Sequence, residues 1–224
     1  MNNIDENKLR EIINDFAREL MELLRDNLPE EAPAPSESVD GKLSSRTLAE
    51  LVSHEGIVRE AYKDTKGIWT WGVGVTNASG HRVNRYKDNP QPLDKVFDIF
   101  EWLVRTKYLP AVEAAFTRPL TEAQRAAALS FHYNTGAIGR ASWVKSFNEG
   151  NEVAAREQFM NWRSPKEIIP RRKKERDLFF DGKWSNDGTA LIFSGVRKPS
   201  YTPSKPSRVN IEKELSKWAS SADS

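Results

Sequence analysis

Among the polar side chains of one short stretch, two carboxyl groups and one hydroxyl group are spaced in a pattern that suits hydrolysis of a glycosidic bond. Glu55, Asp64 and Thr70 all lie within HEGIVREAYKDTKGIWTWGVGVT, residues 54–76. Such hydrolysis needs a protonated carboxyl group at the leaving oxygen and an ionised carboxylate on the opposite face of the sugar. Thr70 follows Asp64 closely enough for its hydroxyl group to help hold a water molecule against that carboxylate. The alternative interpretation makes the three residues a helix-end acid, a turn former and an ordinary strand residue.

Local sequence signals predict the elements that carry these side chains. A helix is expected from about Ser44 to Glu55, and two short extended runs are expected over residues 58–63 and 68–72. The residues between the two runs, DTKG at 64–67, are typical of a turn. The first acid would therefore end a helix, whereas the second would begin a hairpin turn.

The string around these residues resembles a known family. Glu-x8-Asp-x5-Thr, set within EG…YKDTKG…T-x-G-x-G, is similar to the catalytic stretch of the phage T4-type lysozymes, muramidases that cut peptidoglycan. The acid spacing alone carries little weight, because 32 of the 224 residues are acidic, but the whole string is far more specific. The resemblance covers residues 44–184 and leaves both ends unmatched. It implies a mainly α (α+β), two-lobed lysozyme-like fold with a small β-hairpin lobe and a larger helical lobe.

A later segment adds residues that would contact the sugar. LTEAQRAAALSFHYNTGAIG, residues 120–139, is similar to the family's helix at the floor of the cleft. This similarity implies substrate contacts for Tyr133 and Asn134. Without the resemblance, the preferred interpretation is that Tyr133 belongs to the core and Asn134 caps the end of a helix.

A second segment implies a partner for the glutamate. IIPRRKKERDLFF, residues 168–180, resembles the family's helix from which an arginine approaches the catalytic glutamate. Arg171 is therefore the expected ion-pair partner of Glu55, which it would orient. The basic residues that follow are expected on a solvated face: Arg172, Lys173 and Lys174. One departure from the family is Val75, which stands where a histidine is usual and removes a stabilising ion pair without touching the chemistry.

Together these features predict a peptidoglycan muramidase, a lysozyme-type glycoside hydrolase that cuts between N-acetylmuramic acid and N-acetylglucosamine. Glu55 would be the general acid, kept protonated by a partly desolvated position, and Asp64 the ionised carboxylate. The resemblance implies inversion, for which the carboxyl groups stand ~6.5–9.5 Å apart. Neither a metal nor an organic cofactor is expected. The alternatives are a muramidase-fold binding or scaffold protein with little activity, and a lytic transglycosylase, against which the retained Asp64 and Thr70 argue.

Composition and charge restrict the other functions. The chain has no cysteine, which excludes disulfides and thiol chemistry. No apolar run approaches the length of a membrane span, which is ~18 residues. Residues 1–42 carry eleven acids against five bases, whereas residues 43–184 carry 17 against 23, so the basic body should be drawn to an anionic envelope. No nucleic-acid-binding motif is visible, so no nucleic acid partner is expected. Three histidines without metal-site spacing are expected to be structural or surface residues: His54, His81 and His132.

The pattern along the chain predicts four segments. They are an amphipathic helix (1–28), a Pro, Ser and acid-rich linker (29–42), the catalytic domain (43–184) and a C-terminal extension (185–224) with a short strand, a linker over 198–208 and a helix. Within the catalytic domain the small lobe is expected to continue through 77–83. Helices are expected after Pro92, from Thr121 to Thr135, and over 139–148, 151–162 and 166–181. The apolar stripe of residues 4–27 needs a surface, which fold-back, self-association or a docking partner would supply.

The N-terminus, MNNIDENKLREI, has neither the basic start nor the apolar core of a secretory signal peptide. We therefore expect a protein made in the cytoplasm that acts on the cell wall in the periplasm. Its delivery would require a holin-type pore, a virion or a specialised secretion system.

Overall fold

The computed structural model describes residues 43–222 of the chain, so the predicted helix over 4–27 and the linker over 29–42 lie outside the described residues. Helix α1 (Ser45–Glu55) begins where the Ser44 hydroxyl oxygen accepts a hydrogen bond from the Thr47 N–H. It ends at Gly56, whose φ of 72° suits glycine. A side-chain cap and a glycine stop fix the length of a helix, and Glu55 is its last residue, in line with the prediction that it lies near the helix end.

Three antiparallel strands follow and form the small lobe. They are β1 (Ile57–Lys63), β2 (Trp69–Gly72) and β3 (Val75–Thr76). The predicted turn at 64–67 joins the first two, and Tyr62 pairs with Thr70 across it. Residues 77–83 pack on the small lobe without adding a strand, since His81 stacks on Trp71 of β2. Two short 3-10 helices are found there instead, because the Asn77 side chain accepts from the Val83 N–H and folds the segment back.

The larger lobe is helical. Its elements are α2 (Leu93–Leu103), a π-helical turn (Val104–Tyr108), α3 (Leu109–Ala115), α4 (Glu122–Thr135), α5 (Ser142–Asn148), α6 (Glu152–Phe159) and α7 (Ile169–Asp181). Helix α4 starts with the predicted capping box between Thr121 and Gln124 and stops at Gly136, whose φ is 63°. Edge-to-face and tilted aromatic rings fill the core between α4 and α7: Phe131, Trp143, Phe159 and Phe179.

The C-terminal extension forms a hairpin and a helix. These are β4 (Thr189–Arg197), β5 (Thr202–Asn210) and α8 (Ile211–Ala222). The prediction of an extended linker over 198–208 is wrong, because most of it belongs to β5, which pairs with β4 from Thr202 to Asn210. The prolines that suggested a linker, Pro203 and Pro206, are tolerated because β5 is an edge strand.

The hairpin joins the sheet of the small lobe. Strand β4 pairs in parallel with the start of β1, which gives five strands in the order β3-β2-β1-β4-β5 within the described residues. Helix α8 packs through Ile211 and Leu215, which are fully buried, and the Trp218 indole donates to Asp98 on α2 at 2.7 Å. The predicted mainly α (α+β) class is confirmed, with a sheet larger than a hairpin.

A buried carboxylate ties the extension to α1. The Glu50 side chain is fully buried and accepts hydrogen bonds from the Ser185 hydroxyl (2.5 Å) and from the Asn186 N–H (2.9 Å). Burial alone would raise the pKa of Glu50, but the adjacent His54 and the bonds from Ser185 and Asn186 outweigh it and lower the pKa. The extension is therefore fixed to the same helix that ends at Glu55.

Candidate active site

Glu55 lies at the end of α1 and faces an arginine. Its Oε1 is 2.5 Å from Nη1 of Arg171 on α7, and 22% of the Glu55 side chain is exposed. A Cβ atom on Gly74 would lie 3.8 Å from Glu55 Oε2, so the turn between β2 and β3 comes into contact range of this carboxylate. Gly72 and Gly74 both have positive φ, which accounts for the two glycines of the T-x-G-x-G string.

Arg171 is held from behind by buried groups. Its Nε donates to Glu175 Oε1 at 2.9 Å, and its Nη2 donates to the Ser130 carbonyl oxygen at 3.1 Å. The Ser130 hydroxyl also donates to Glu175, which is fully buried. Although burial lowers the pKa of Arg171, the charges of Glu55 and Glu175 outweigh it and raise that pKa. The guanidinium is thus held on one side by Glu175 and Ser130, and it contacts Glu55 on the other side.

Glu175 was not among the predicted site residues. The signal was present in the string R-R-x-x-E, because residues four apart share one face of a helix. Its role required knowledge of the buried Ser130 on α4, which sequence spacing does not supply.

The prediction of a solvated position for Arg172 is wrong. The residue is 1% exposed and bonds to Glu175, to the Trp162 carbonyl oxygen (2.9 Å) and to Asn134 Oδ1 (2.7 Å). Its guanidinium also lies 4.7 Å from the ring centre of Phe131, within the range of a cation–π contact. Burial is possible because every side of the cation has a partner. Lys173 and Lys174 are exposed, as predicted.

Asp64 occupies the first position of the turn. Its Oδ1 accepts hydrogen bonds from the backbone N–H groups of Lys66 (2.8 Å) and Ile68 (2.9 Å). This is the turn-forming behaviour of aspartate, and it uses one carboxylate oxygen. Within residues 43–222 the second oxygen, Oδ2, makes no hydrogen bond.

Thr70 is linked to Asp64 through the backbone of Ile68. The Ile68 carbonyl oxygen accepts from the Asp64 N–H at 3.0 Å and from the Thr70 hydroxyl at 3.1 Å. Thr70 is 4% exposed and lies opposite Tyr62 on the paired strand. The structure therefore brings Asp64 and Thr70 together at the same end of the β1–β2 pair.

Three tyrosines lie near Glu55, and one of them, Tyr62, also lies near Asp64. Burial, Glu55 and Asp64 together raise the pKa of Tyr62 to about 12. Burial and the charge of Glu55 also raise the pKa values of Tyr108 and Tyr133. A raised pKa favours the protonated phenol, which can donate a hydrogen bond. Tyr62 and Tyr108 were not predicted, although Tyr62 precedes Asp64 by two residues in the same string.

Tyr133 and Asn134 are partly engaged within the protein. The Tyr133 hydroxyl donates to the Val73 carbonyl oxygen, and its ring packs on Phe100 and Tyr108. Asn134 is exposed at the end of α4, and its Oδ1 accepts from Arg172, as described above. The amide NH2 of Asn134 remains available to a ligand. Sugar contacts by these two residues stay a prediction.

Two open cavities lie on the helical lobe. One of about 290 Å³ is lined by residues 78–80 and by Leu103, Lys107 and Tyr108, which places it near the tyrosines around Glu55. A groove of about 740 Å³ between α3 and α5 contains none of the predicted site residues. Within residues 43–222 no group of three or more His, Cys, Asp or Glu side chains could hold a metal ion.

Glu55 at the end of a helix, its partner Arg171, and Asp64 on a hairpin turn are residues for which the lysozyme resemblance implied a role. The family model for phage lysozyme matches residues 52–175, which is more than half of the chain. The chain therefore belongs to the phage lysozyme family. The predicted family and enzyme class are confirmed.

Individual relatives agree. The endolysin of Salmonella phage P22 is 30% identical over 154 residues, which cover 62% of this chain and 97% of that protein. The crystal structure of a mutant P22 lysozyme superimposes with a TM-score of 0.54 at 27% identity and covers 62% of this chain and 98% of that one. The muramidase domain of SpmX from Asticcacaulis excentricus gives a TM-score of 0.52 at 25% identity, covering 62% and 97%. Strands β4 and β5 and helix α8 lie beyond the residues that the family model matches.

None of the helices within residues 43–222 is long and apolar enough to cross a membrane.

Proposed function

We propose that the protein is a muramidase that hydrolyses the β-1,4 bond between N-acetylmuramic acid and N-acetylglucosamine with inversion. Phage lysozymes act on peptidoglycan, and the observation that carries the finer proposal is the placement of Glu55 and Asp64 at the two ends of β1. Glu55 is the general acid, Asp64 is the ionised carboxylate, and Thr70 helps to hold the attacking water.

The fixed position of Glu55 supports its role as the acid. Protonation of the leaving oxygen requires a carboxyl group held at one place, and the contact with Arg171 restricts Glu55 to one orientation. Arg171 forms ion pairs with both Glu55 and Glu175, so Glu55 is one of two carboxylates that contact this guanidinium. Part of the Glu55 side chain stays exposed, which leaves room for a sugar to approach.

The hydrogen bonds around Asp64 support its role in directing water. The Thr70 hydroxyl already donates its proton to the Ile68 carbonyl oxygen, so the Thr70 oxygen is an acceptor. A water molecule that donates one proton to Asp64 Oδ2 and the other to Thr70 keeps its lone pairs for the anomeric carbon. As that bond forms, Asp64 takes a proton from the water while Glu55 gives its proton to the leaving oxygen.

Digestion of purified peptidoglycan tests the proposal. Borohydride reduction of the products should convert the new ends to muramitol and not to glucosaminitol, which identifies the bond that is cut. In a proton NMR time course on soluble glycan strands, the α-anomer of the new reducing end should form first, because inversion of a β-bond gives the α-configuration. An initial β-anomer would contradict inversion.

The same assay separates the rival functions. A binding or scaffold protein would bind peptidoglycan without releasing reducing ends. A lytic transglycosylase would leave 1,6-anhydromuramic acid ends in place of reducing ends. Glu55→Gln should release neither product and supplies the baseline for both comparisons.

A further inference from the structure

Strand β1 connects the two proposed catalytic carboxyl groups. Glu55 stands two residues before Ile57, its first residue, and Asp64 directly follows Lys63, its last. The conformation of β1 therefore sets the distance between the two carboxyl groups. Its pairing with β2 is irregular, since the register shifts between Val58 and Tyr62. Such a shift leaves a strand less firmly held on that side.

The β4–β5 hairpin contacts β1 on its other side at both ends. Near Glu55, Ile57 and Val58 pair with Ile192 and Phe193 of β4. The approach is close, because a Cβ atom on Gly56 would lie 3.3 Å from the carbonyl oxygen of Leu191.

At the Asp64 end the contact is made by the tip of the hairpin. The Lys63 N–H donates to the Tyr201 carbonyl oxygen at 2.9 Å. The Tyr201 ring meets the Trp69 ring edge-on, with 4.9 Å between centroids and an interplanar angle of 74°. Lys63 and Trp69 are paired across the turn that carries Asp64. Tyr201 therefore contacts the residues on both sides of that turn.

Further contacts fix Tyr201 in place. Its φ is 55°, a left-handed conformation that is unfavourable for a bulky residue, so the surrounding contacts must hold it. The ammonium groups of Lys87 and Lys198 lie 6.0 and 5.9 Å from its ring centre, where a cation is attracted to the ring face. Lys198 also forms an ion pair with Asp88. The tip is thus attached to the small lobe by hydrogen bonding, ring packing and charge.

We propose that the β4–β5 hairpin is a brace that sets the position of Asp64 relative to Glu55, with Tyr201 as the positioning residue at the Asp64 end. The proposal rests on the catalytic roles proposed for these two acids. The hairpin lies beyond the residues matched by the phage lysozyme family model, so the brace is supplied by the part of the chain outside that match.

Tyr201→Asn in the full-length chain tests the brace. Asparagine tolerates the left-handed conformation, so the substitution removes the ring while keeping the backbone. On soluble glycan strands we expect kcat to fall about tenfold with KM within about twofold, because a small misplacement of a catalytic group is costly. Tyr201→Phe keeps the ring, so its kcat should stay within about twofold of the parent value. Should Tyr201→Asn not fold, Tyr201→Gly takes its place.

Lys205→Asn is the matched control. Lys205 has the same φ of 55°, is exposed, and lies on the same hairpin away from the Asp64 turn. Its substitution should leave kcat and KM unchanged.

Amide hydrogen exchange gives a readout that does not depend on catalysis. Exchange at the Lys63 amide should accelerate about tenfold or more in Tyr201→Asn and stay unchanged in Lys205→Asn. Unchanged exchange, an unchanged kcat, or a raised KM with kcat preserved would each overturn the brace. If Asp64→Asn keeps its activity, the proposed function fails instead, and the exchange of the Lys63 amide still decides whether Tyr201 holds the turn.

Discussion

Glu55 and Asp64 lie at opposite ends of β1 and are held by different kinds of contact. Glu55 faces Arg171, which Glu175 and Ser130 hold from behind through buried hydrogen bonds between helices far apart in sequence. Asp64 instead bonds to the backbone of its own turn, and its second oxygen makes no hydrogen bond to the described residues. Glu55 is therefore held by contacts with the helical lobe, whereas Asp64 is held by the geometry of its own turn, beside which the tip of the β4–β5 hairpin lies. Substitutions at the two sites should therefore differ in whether they lower activity, stability or both.

Glu55→Gln should have the largest effect. The amide cannot deliver a proton, so lysis of permeabilised Gram-negative cells should fall by about 10³-fold or more while the fold persists. Circular dichroism and turbidity clearing measure the two properties. Glu113→Gln, at an exposed acid on α3, is the control and should clear cells normally. An unchanged rate in Glu55→Gln would remove Glu55 from the acid role.

Asp64 should separate chemistry from turn stability. Asp64→Asn keeps an oxygen that can accept from the Lys66 and Ile68 amides, so we expect a loss of about 10²-fold or more in activity with little change in melting temperature. Asp64→Ala loses both the charge and the acceptor, so it should also melt at a lower temperature. If Asp64→Asn keeps most of the activity, the two-carboxylate mechanism does not apply.

Glu175→Gln should act mainly on stability. The change leaves the buried guanidinium groups of Arg171 and Arg172 without their shared counter-charge, so the free energy of unfolding should fall by about 3–5 kcal/mol. Urea unfolding measures the loss. Glu167→Gln lies at an exposed position before α7. As the control, it should change the free energy of unfolding by at most about 0.5 kcal/mol. A similarly small loss in Glu175→Gln would show that the network does not hold Arg171.

Substitution of Glu50, which bonds α1 to the C-terminal extension, should have a smaller and pH-dependent effect on the free energy of unfolding. The pKa of Glu50 is lowered below its usual 4.5 in the folded chain, so its ionised form stabilises the fold at pH values above that value. This contribution is lost as pH falls through the folded-state pKa. The difference in unfolding free energy between the parent and Glu50→Gln should therefore shrink below about pH 4.5. The exposed Glu149→Gln should show no such trend, and a difference that grows in acid would contradict the assignment.

Removal of residues 1–42 should have the smallest effect on the rate, because Glu55, Asp64 and the contacts described for them all lie within residues 43–222. The truncated protein should remain soluble and keep at least part of its muramidase activity. Light scattering on both forms tests self-association, since a full-length dimer and a monomeric truncation would assign the stripe of residues 4–27 to a second copy. Precipitation or loss of activity would show that the stripe completes the core of the body.

Local signals were sufficient for part of this site. The end of α1 near Glu55 and the turn at 64–67 follow from short-range preferences, and both are found in the structure. Arg171 could be singled out only through the resemblance to the lysozymes, since spacing does not distinguish it from Arg172.

Long-range contacts were beyond the sequence. The burial of Arg172 depends on Glu175, Trp162 and Asn134, which meet only when three elements pack together. The parallel pairing of β4 with β1 joins residues far apart in the chain, such as Ile57 and Ile192, and no local pattern encodes such a contact. Pro203 and Pro206 suggested a linker, but proline is also tolerated in a strand at the edge of a sheet, and the position of a strand in the sheet cannot be read from local sequence.

Those prolines have a consequence for how the sheet ends. An edge strand with a full row of free N–H and C=O groups can recruit a strand from another chain and so begin aggregation. Strand β5 lacks two backbone N–H groups, because Pro203 and Pro206 have none. It also carries two exposed cations, Lys205 and Arg208, and the φ of Lys205 is 55° instead of the extended value of a regular strand. The β4–β5 hairpin therefore extends the sheet beside β1, and its outer edge is a poor template for pairing with a strand of another chain.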